Sequence, residues 1–170
     1  MSRLILLRHA KSDGPAGVED HDRPLGKRGR RDAAHIGAAM GARALIPDLA
    51  VVSTARRTRE TWDLVKPSLG TVPERFDDSI YEAEPEAILA AIRSTGRRIG
   101  MLLIIGHNPG LELTAAYLTA GGSGRERMLG KFPTGALAAI DFANDDWRQI
   151  GQGQGALSLF LVPAELAEKR

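Results

Sequence analysis

Short apolar runs alternate with helical patterns along this 170-residue chain, and this alternation constrains the fold more than any other feature. The runs Leu4–Leu7, Leu49–Val52 and Met101–Ile105 are long enough for buried strands and too short to span a membrane. Between the first two runs, apolar residues recur at helical spacing from Leu25 to about Ala44. Strands alternating with helices predict an α/β fold, a three-layer α/β/α sandwich around a mostly parallel sheet.

The rest of the chain continues the alternation, with turn signals between its elements. The further predicted elements are a weak strand at Val72–Phe76, a helix beginning at Pro85, a helix from Pro109 to about Leu118, a loop at Gly121–Gly124, and strands at Ala136–Phe142 and Ala156–Val162. We expect the last two strands to be able to run antiparallel at one edge of the sheet. Because no repeat or linker divides the sequence, we expect one domain over residues 1–170.

Composition excludes several classes of function. The chain has no cysteine, which rules out disulfides, thiolate catalysis and zinc thiolate sites. Its net charge of +2 gives no reason to expect a nucleic-acid or membrane partner. The N-terminal apolar run is broken by Arg8 and His9, so it predicts a strand rather than a signal peptide. We therefore expect a cytoplasmic monomer.

Basic side chains directly follow three of the predicted strands. Arg8 and His9 follow the first, Arg56 and Arg57 come soon after the second, and His107 follows the third. Ligands of open α/β sheets bind at the carboxyl ends of the strands, so we expect these side chains to meet there. The fixed fork of an arginine matches two phosphate oxygens. The sequence therefore predicts a phosphate site with two histidines.

Each of these features also has a purely structural interpretation. A histidine after a strand is commonly an ordinary polar residue, Arg56 and Arg57 could lie on a solvated helix face, and Gly106–Pro109 could be a turn with a cap. Their occurrence together at three strand ends favours a catalytic site, because unrelated structural features rarely coincide in this way.

These motifs resemble those of the histidine phosphatase superfamily, the relatives of cofactor-dependent phosphoglycerate mutase. Leu6–Ala10 is similar to its Arg-His-Gly signature, Ser53–Thr61 to its second motif, and Gly106-His107 to the block with its second histidine. The segments most similar to SixA-type phosphohistidine phosphatases are Arg8–Ser12, Arg23–Leu25 and Phe132–Ala136. The resemblance implies a phosphoglycerate mutase-like fold, and the short chain leaves no room for a cap insertion.

The resemblance also implies roles for individual residues. His9 would be the nucleophile and form a phosphohistidine intermediate, with Arg8, Arg57 and His107 around the phosphoryl group. Glu82 is the candidate proton donor, although a solvated carboxylate is an equal alternative for it. The substrate-binding candidates are Ser12, Asn108 and Thr134. We expect neither a metal nor a cofactor, because the arginines supply the positive charge that Mg²⁺ provides elsewhere.

Two further points bear on activity and substrate. Ala10 stands where the broad family commonly has glycine, which we expect to be a subfamily variation. Without a cap the site should be open, which favours a phosphohistidine on a protein such as a phosphotransfer domain. A phosphatase of small phosphorylated metabolites is the nearest alternative, and an idle phosphoprotein-binding module is an alternative of another class.

Overall fold

The computed structural model of the protein describes residues 1–167 and contains a seven-stranded sheet with helices on both faces. The strands are β1 (Ser2–Arg8), β2 (Leu49–Ser53), β3 (Glu74–Asp77), β4 (Met101–Gly106), β5 (Thr119–Gly122), β6 (Leu137–Phe142) and β7 (Gly155–Leu161). They lie in the order β3-β2-β4-β1-β6-β7-β5. Only β6 runs antiparallel to its neighbours, so the sheet is mostly parallel, as predicted.

Helices cover both faces of this sheet. They are α1 (Lys27–Ala42), α2 (Arg56–Val65), α3 (Pro85–Arg93), α4 (Gly110–Leu118), α5 (Arg125–Gly130) and α6 (Pro163–Ala167). The first two pack on one face, where Met40 and Trp62 are fully buried. Helices α3, α4 and α5 pack on the other face, through residues such as Ile92 and Leu111. The predicted α/β/α sandwich is thus confirmed.

The strands are apolar along their whole length because both faces of the sheet are covered. In β1, Leu4 and Leu6 enter the core beneath α3 and α4, whereas Ile5 and Leu7 enter the core beneath α1 and α2. All four side chains are fully buried. This alternation follows from the two-residue repeat of a strand, and it explains why continuous apolar runs were good predictors of strands here.

Two sequence predictions for the far side of the sheet need correction. Part of the predicted loop Gly121–Gly124 belongs to β5, which is an edge strand. Gly122 has φ of +117°, and a Cβ there would lie 2.3 Å from the Leu157 carbonyl oxygen, so glycine is required for the approach to β7. The antiparallel β6 lies inside the sheet, between β1 and β7, rather than at its edge.

The topology brings the predicted site residues to one end of the sheet. β2, β4 and β1 are adjacent and parallel, and their carboxyl ends are Ser53, Gly106 and Arg8. The loops that follow these strands therefore converge. Among residues 1–167, none of the helices combines the length and the apolar character needed to cross a membrane.

Candidate active site

A polar pocket of about 280 Å³ lies at this end of the sheet. All eight side chains singled out in the sequence line it: Arg8, His9, Ser12, Arg57, Glu82, His107, Asn108 and Thr134. Lys11, Asp20 and Arg23 complete the lining. Residues up to 126 positions apart in the chain therefore share one small pocket, as the strand-end argument predicted.

His9 is the first residue after β1, and its ring is held in a defined orientation. Its Nδ1 lies 2.8 Å from the carbonyl oxygen of Ala10. A carbonyl can only accept a hydrogen bond, so Nδ1 carries the proton of the neutral ring and Nε2 keeps its lone pair. The backbone around it is also fixed, because Gly135 N–H donates to the His9 carbonyl at 2.9 Å.

The surroundings of His9 favour its neutral form. Its side chain is buried, and this burial lowers the pKa to about 4. The hydrogen bond to Ala10 opposes the shift, while the positive charges of Arg57 and Arg8 add to it. Because a neutral imidazole is required for nucleophilic attack, the ring is ready to react throughout the neutral pH range.

Arg57 is the most buried cation of the pocket, with 2% of its side chain exposed. It is the second residue of α2, so the end of β2 and the start of this helix together position it. Its Nη1 donates to the Asp20 carbonyl at 2.8 Å, and its Nη2 contacts carboxylates of Asp20 at 3.1 Å and Glu82 at 2.5 Å. These contacts fix the direction of the guanidinium.

His107 packs against His9, with ring centroids 5.4 Å apart. Its Nε2 lies 2.7 Å from Ser53 Oγ, and its Nδ1 lies 3.3 Å from Arg57 Nη2. Since a guanidinium only donates, Nδ1 is the acceptor and Nε2–H donates to the serine. Burial, followed by the proximity of His9 and Arg57, lowers the pKa of His107 to about 3.

The carbonyl of Phe132 joins Arg8 to Asn108. It accepts a hydrogen bond from Arg8 Nη1 at 2.9 Å and another from Asn108 Nδ2 at 3.0 Å. Asn108 Oδ1 also accepts from the backbone N–H of Glu112 at 3.2 Å, inside the first turn of α4. The Asn108 side chain is therefore engaged in structural contacts, and its predicted substrate-binding role stays a prediction.

The sequence assigned no site role to Asp20, Tyr81 or Arg23, although Arg23 lies in a segment similar to SixA-type phosphatases. Asp20 accepts hydrogen bonds from Arg57, from Arg23 at 3.2 Å and from the Tyr81 hydroxyl. Mainly through that hydroxyl, the pKa of Asp20 is lowered to about 2, and burial raises that of Tyr81 to about 12. Arg23 also donates to Ser12 Oγ at 2.8 Å. Asp20 lies in a polar segment without periodicity, so only the fold reveals its contacts.

Ala10 and Glu82 differ in backbone conformation. Ala10 is buried, donates its N–H to Thr61 Oγ1 at 3.0 Å and does not have a positive φ, so alanine is unstrained at this position. Glu82, by contrast, has φ of +48°, in the left-handed region that non-glycine residues rarely adopt. A non-glycine residue in this region costs about 1–3 kcal/mol. Ala44, which follows α1 and does not line the pocket, also has a positive φ, of +55°.

Lowering the pH from 7 towards 4 is expected to destabilise the fold through His9 and His107. Both pKa values lie below the ordinary 6.5, so the unfolded chain binds protons in this range while the folded protein does not. Their contribution to stability is complete above pH 6.5 and is lost as the pH falls towards 4. Each histidine contributes at most about 1.4 kcal/mol per pH unit.

Urea unfolding at pH 7 and pH 5 measures this effect. A His9→Asn variant should show a shallower decline of unfolding free energy than the wild type, because asparagine does not titrate. An identical decline in both proteins would contradict the assignment of His9 as a buried neutral ring.

No group of three or more histidine, aspartate or glutamate side chains in residues 1–167 has an arrangement suited to a metal ion. The positive charges that line the pocket are those of Arg8, Lys11, Arg23 and Arg57. Their carboxylate counterparts in the lining are Asp20 and Glu82.

Known proteins are similar to this chain both in sequence and in fold. A sequence model of the histidine phosphatase superfamily (branch 1) matches residues 4–88. An uncharacterized protein of Mycobacterium tuberculosis (strain ATCC 25618 / H37Rv) is 35% identical over 161 residues, which cover 92% of this chain and 99% of the relative.

Two solved structures are similar over almost their whole length. A proposed phosphohistidine phosphatase SixA from Nakamurella multipartitia superposes with a TM-score of 0.84 at 28% identity, covering 95% of this chain and 96% of its own. A second proposed SixA, from Agrobacterium tumefaciens, superposes with a TM-score of 0.80 at 29% identity, covering 95% and 98%.

Proposed function

Because the chain belongs to the histidine phosphatase superfamily and is therefore a phosphatase, we propose that it removes the phosphoryl group from phosphohistidine on a protein. The observation that carries the catalytic part of this proposal is the state of His9. Its Nδ1–H is held by the Ala10 carbonyl, its pKa is low, and Nε2 is left as a nucleophile in a pocket lined by arginines.

Two buried donors support phosphoryl binding in this pocket. The Nε atoms of Arg8 and Arg57 are buried, and neither has a hydrogen-bond partner in the described part of the chain. Buried N–H groups without an acceptor are costly, and these two guanidinium groups therefore keep donor capacity that no described protein group uses. A phosphoryl oxygen is the acceptor that suits a guanidinium best, and both side chains line the pocket.

The reaction would proceed in two displacements at phosphorus. In the first, His9 Nε2 forms a bond to phosphorus while the bond from phosphorus to the substrate's imidazole nitrogen breaks, and that nitrogen takes up a proton. In the second, water attacks the phosphohistidine and His9 leaves with its lone pair. Charge spreads over the equatorial oxygens in both steps, where Arg8, Arg57 and His107 would stabilise it.

Glu82 is the proposed source of the proton. Its carboxylate lies beside Arg57 and 3.4 Å from His107 Nδ1, and its side chain is 47% exposed, so it can exchange protons with solvent. An imidazole leaving group needs less assistance than an alkoxide, so Glu82 would matter less for phosphohistidine than for alkyl esters.

The openness of the pocket supports a protein substrate. The carboxylates of Asp20 and Glu82 line the pocket and remain 49% and 47% exposed, so bulk solvent reaches its rim. A phosphorylated side chain on a protein surface could enter from that side. A mutase has to recapture a released intermediate and therefore needs an enclosed site. The exposure of these two carboxylates shows that the pocket is open instead.

We predict that the protein hydrolyses a histidine-phosphorylated phosphotransfer protein at least ~10-fold more efficiently, by kcat/KM, than p-nitrophenyl phosphate and other small monoesters. Phosphate release is measured in the presence of EDTA. The His9→Asn variant is the control for spontaneous hydrolysis of the phosphoramidate.

The alternatives give different results in the same experiment. If the protein prefers a small ester, the proposed mechanism stands and the proposed protein substrate is wrong. Failure to release phosphate from any substrate, with the wild type folded, would favour a phosphoprotein-binding module and overturn the proposed function.

A further inference from the structure

A second depression, larger than the catalytic pocket, lies directly beside it. It has a volume of about 740 Å³, and Thr134 lines both depressions. Four cationic side chains line this second depression: Arg28, Arg31, Arg127 and Lys131. We call this surface the basic groove.

Two of the four cations in the basic groove are already paired. Arg28 lies 3.6 Å from the Asp32 carboxylate one helical turn away, and Arg127 is paired with Glu165. Arg31 and Lys131 are exposed, and neither forms an ion pair with any carboxylate within residues 1–167. The groove therefore has an excess of positive charge that is open to solvent.

Part of the wall of the basic groove is apolar. Pro133, Val162 and Pro163 line it together with Phe160, whose ring lies under the Arg127 guanidinium at 4.9 Å. Arg127 Nη2 also donates to the Phe160 carbonyl at 2.8 Å. A surface that combines apolar walls with cations that form no ion pair suits an extended polypeptide with acidic side chains better than a small, fully hydrated anion.

The size of the catalytic pocket indicates why such a surface is needed. Its 280 Å³ accommodates a phosphoryl group and the ring attached to it, so the remainder of a protein substrate must lie outside. Chain segments that leave the pocket past Thr134 enter the basic groove directly. The catalytic pocket and the groove would then be two parts of one substrate-binding surface.

We propose that the basic groove binds an acidic segment of the phosphoprotein substrate, next to the phosphohistidine in sequence or in space. This inference rests on the proposed function and adds to it the recognition of the substrate by charge. Electrostatic recognition of this kind acts mainly on encounter and binding, so it should affect KM more than kcat.

The test uses two chemically phosphorylated phosphohistidine peptides that differ only in their flanks, aspartate and glutamate in one, asparagine and glutamine in the other. The full-length wild type should prefer the acidic peptide about fivefold in kcat/KM at low salt, and high salt should reduce this preference. Arg31→Glu and Lys131→Glu should each remove the preference through KM, leaving kcat and hydrolysis of p-nitrophenyl phosphate unchanged.

Arg98→Glu is the matched control. Arg98 is exposed and precedes β4, at the end of the sheet opposite the catalytic pocket. The Arg98→Glu variant should therefore prefer the acidic peptide as strongly as the wild type does. Equal hydrolysis of both peptides by the wild type would overturn the groove proposal and leave the proposed function standing. Hydrolysis of p-nitrophenyl phosphate without hydrolysis of either peptide would overturn both.

Discussion

Replacing His9 with alanine is expected to abolish turnover in a protein that still folds. Loss of a catalytic nucleophile lowers kcat by about 10⁴–10⁶-fold, because the remaining groups can only bind substrate and stabilise charge. The effect should be the same for phosphohistidine and for p-nitrophenyl phosphate, since both would transfer their phosphoryl group to Nε2. Steady-state phosphate release measures it.

The fold of this variant needs a separate control, because His9 is buried between β1 and the pocket. His9→Asn provides it: the asparagine amide can still donate to the Ala10 carbonyl that now accepts from Nδ1 at 2.8 Å, yet it offers no nucleophile. Circular dichroism and urea unfolding should show both variants folded. Substantial activity in either one would exclude His9 as the nucleophile.

Replacing Arg57 with alanine should cause the second largest loss. Arg57 is fixed by Asp20 and Glu82 before any substrate arrives, so in the proposed mechanism it would stabilise the transferred charge without reorganisation. Loss of one such donor costs about 2.7–4 kcal/mol, or about 10²–10³ in kcat. We also expect a higher KM, because the guanidinium would contact the phosphoryl group in the ground state as well.

Neighbouring residues provide the controls for Arg57. Arg56 pairs with Glu60 on the outside of α2, so Arg56→Ala should retain near wild-type kinetics. Arg57→Lys keeps the positive charge but loses the planar guanidinium that can donate to two oxygens at once. Its activity should lie between those of wild type and Arg57→Ala. An unchanged kcat/KM in Arg57→Ala would exclude this role for Arg57.

The position of the site was predictable because it depends on strand ends. Apolar runs such as Leu4–Leu7 and Met101–Ile105 identify buried parallel strands, and parallel strands bring the residues that follow them to one edge. His9 and His107 could therefore be brought together without knowledge of the strand order. The motif resemblance then singled out Arg57 between two other arginines.

The contacts that orient these residues were not predictable. Asp20 and Tyr81 lie in segments with no periodic pattern, and their hydrogen bond forms only because the loops after β1 and β3 meet. Sequence spacing also did not reveal β5, because an edge strand that pairs through its backbone needs no apolar run. The sequence predicts a loop at Gly122, whereas the absence of a side chain there permits β5 to pair with β7.

Trapping the phosphoenzyme tests directly whether His9 is the nucleophile. Wild-type protein is mixed with ³²P-labelled substrate, quenched in alkali during turnover, digested and examined by mass spectrometry, because phosphohistidine survives base and is lost in acid. We expect an alkali-stable, acid-labile phosphoryl group on the peptide that contains His9, and none in His9→Asn. A label on another residue, or continued turnover without any labelled protein at the earliest quench times, would contradict it.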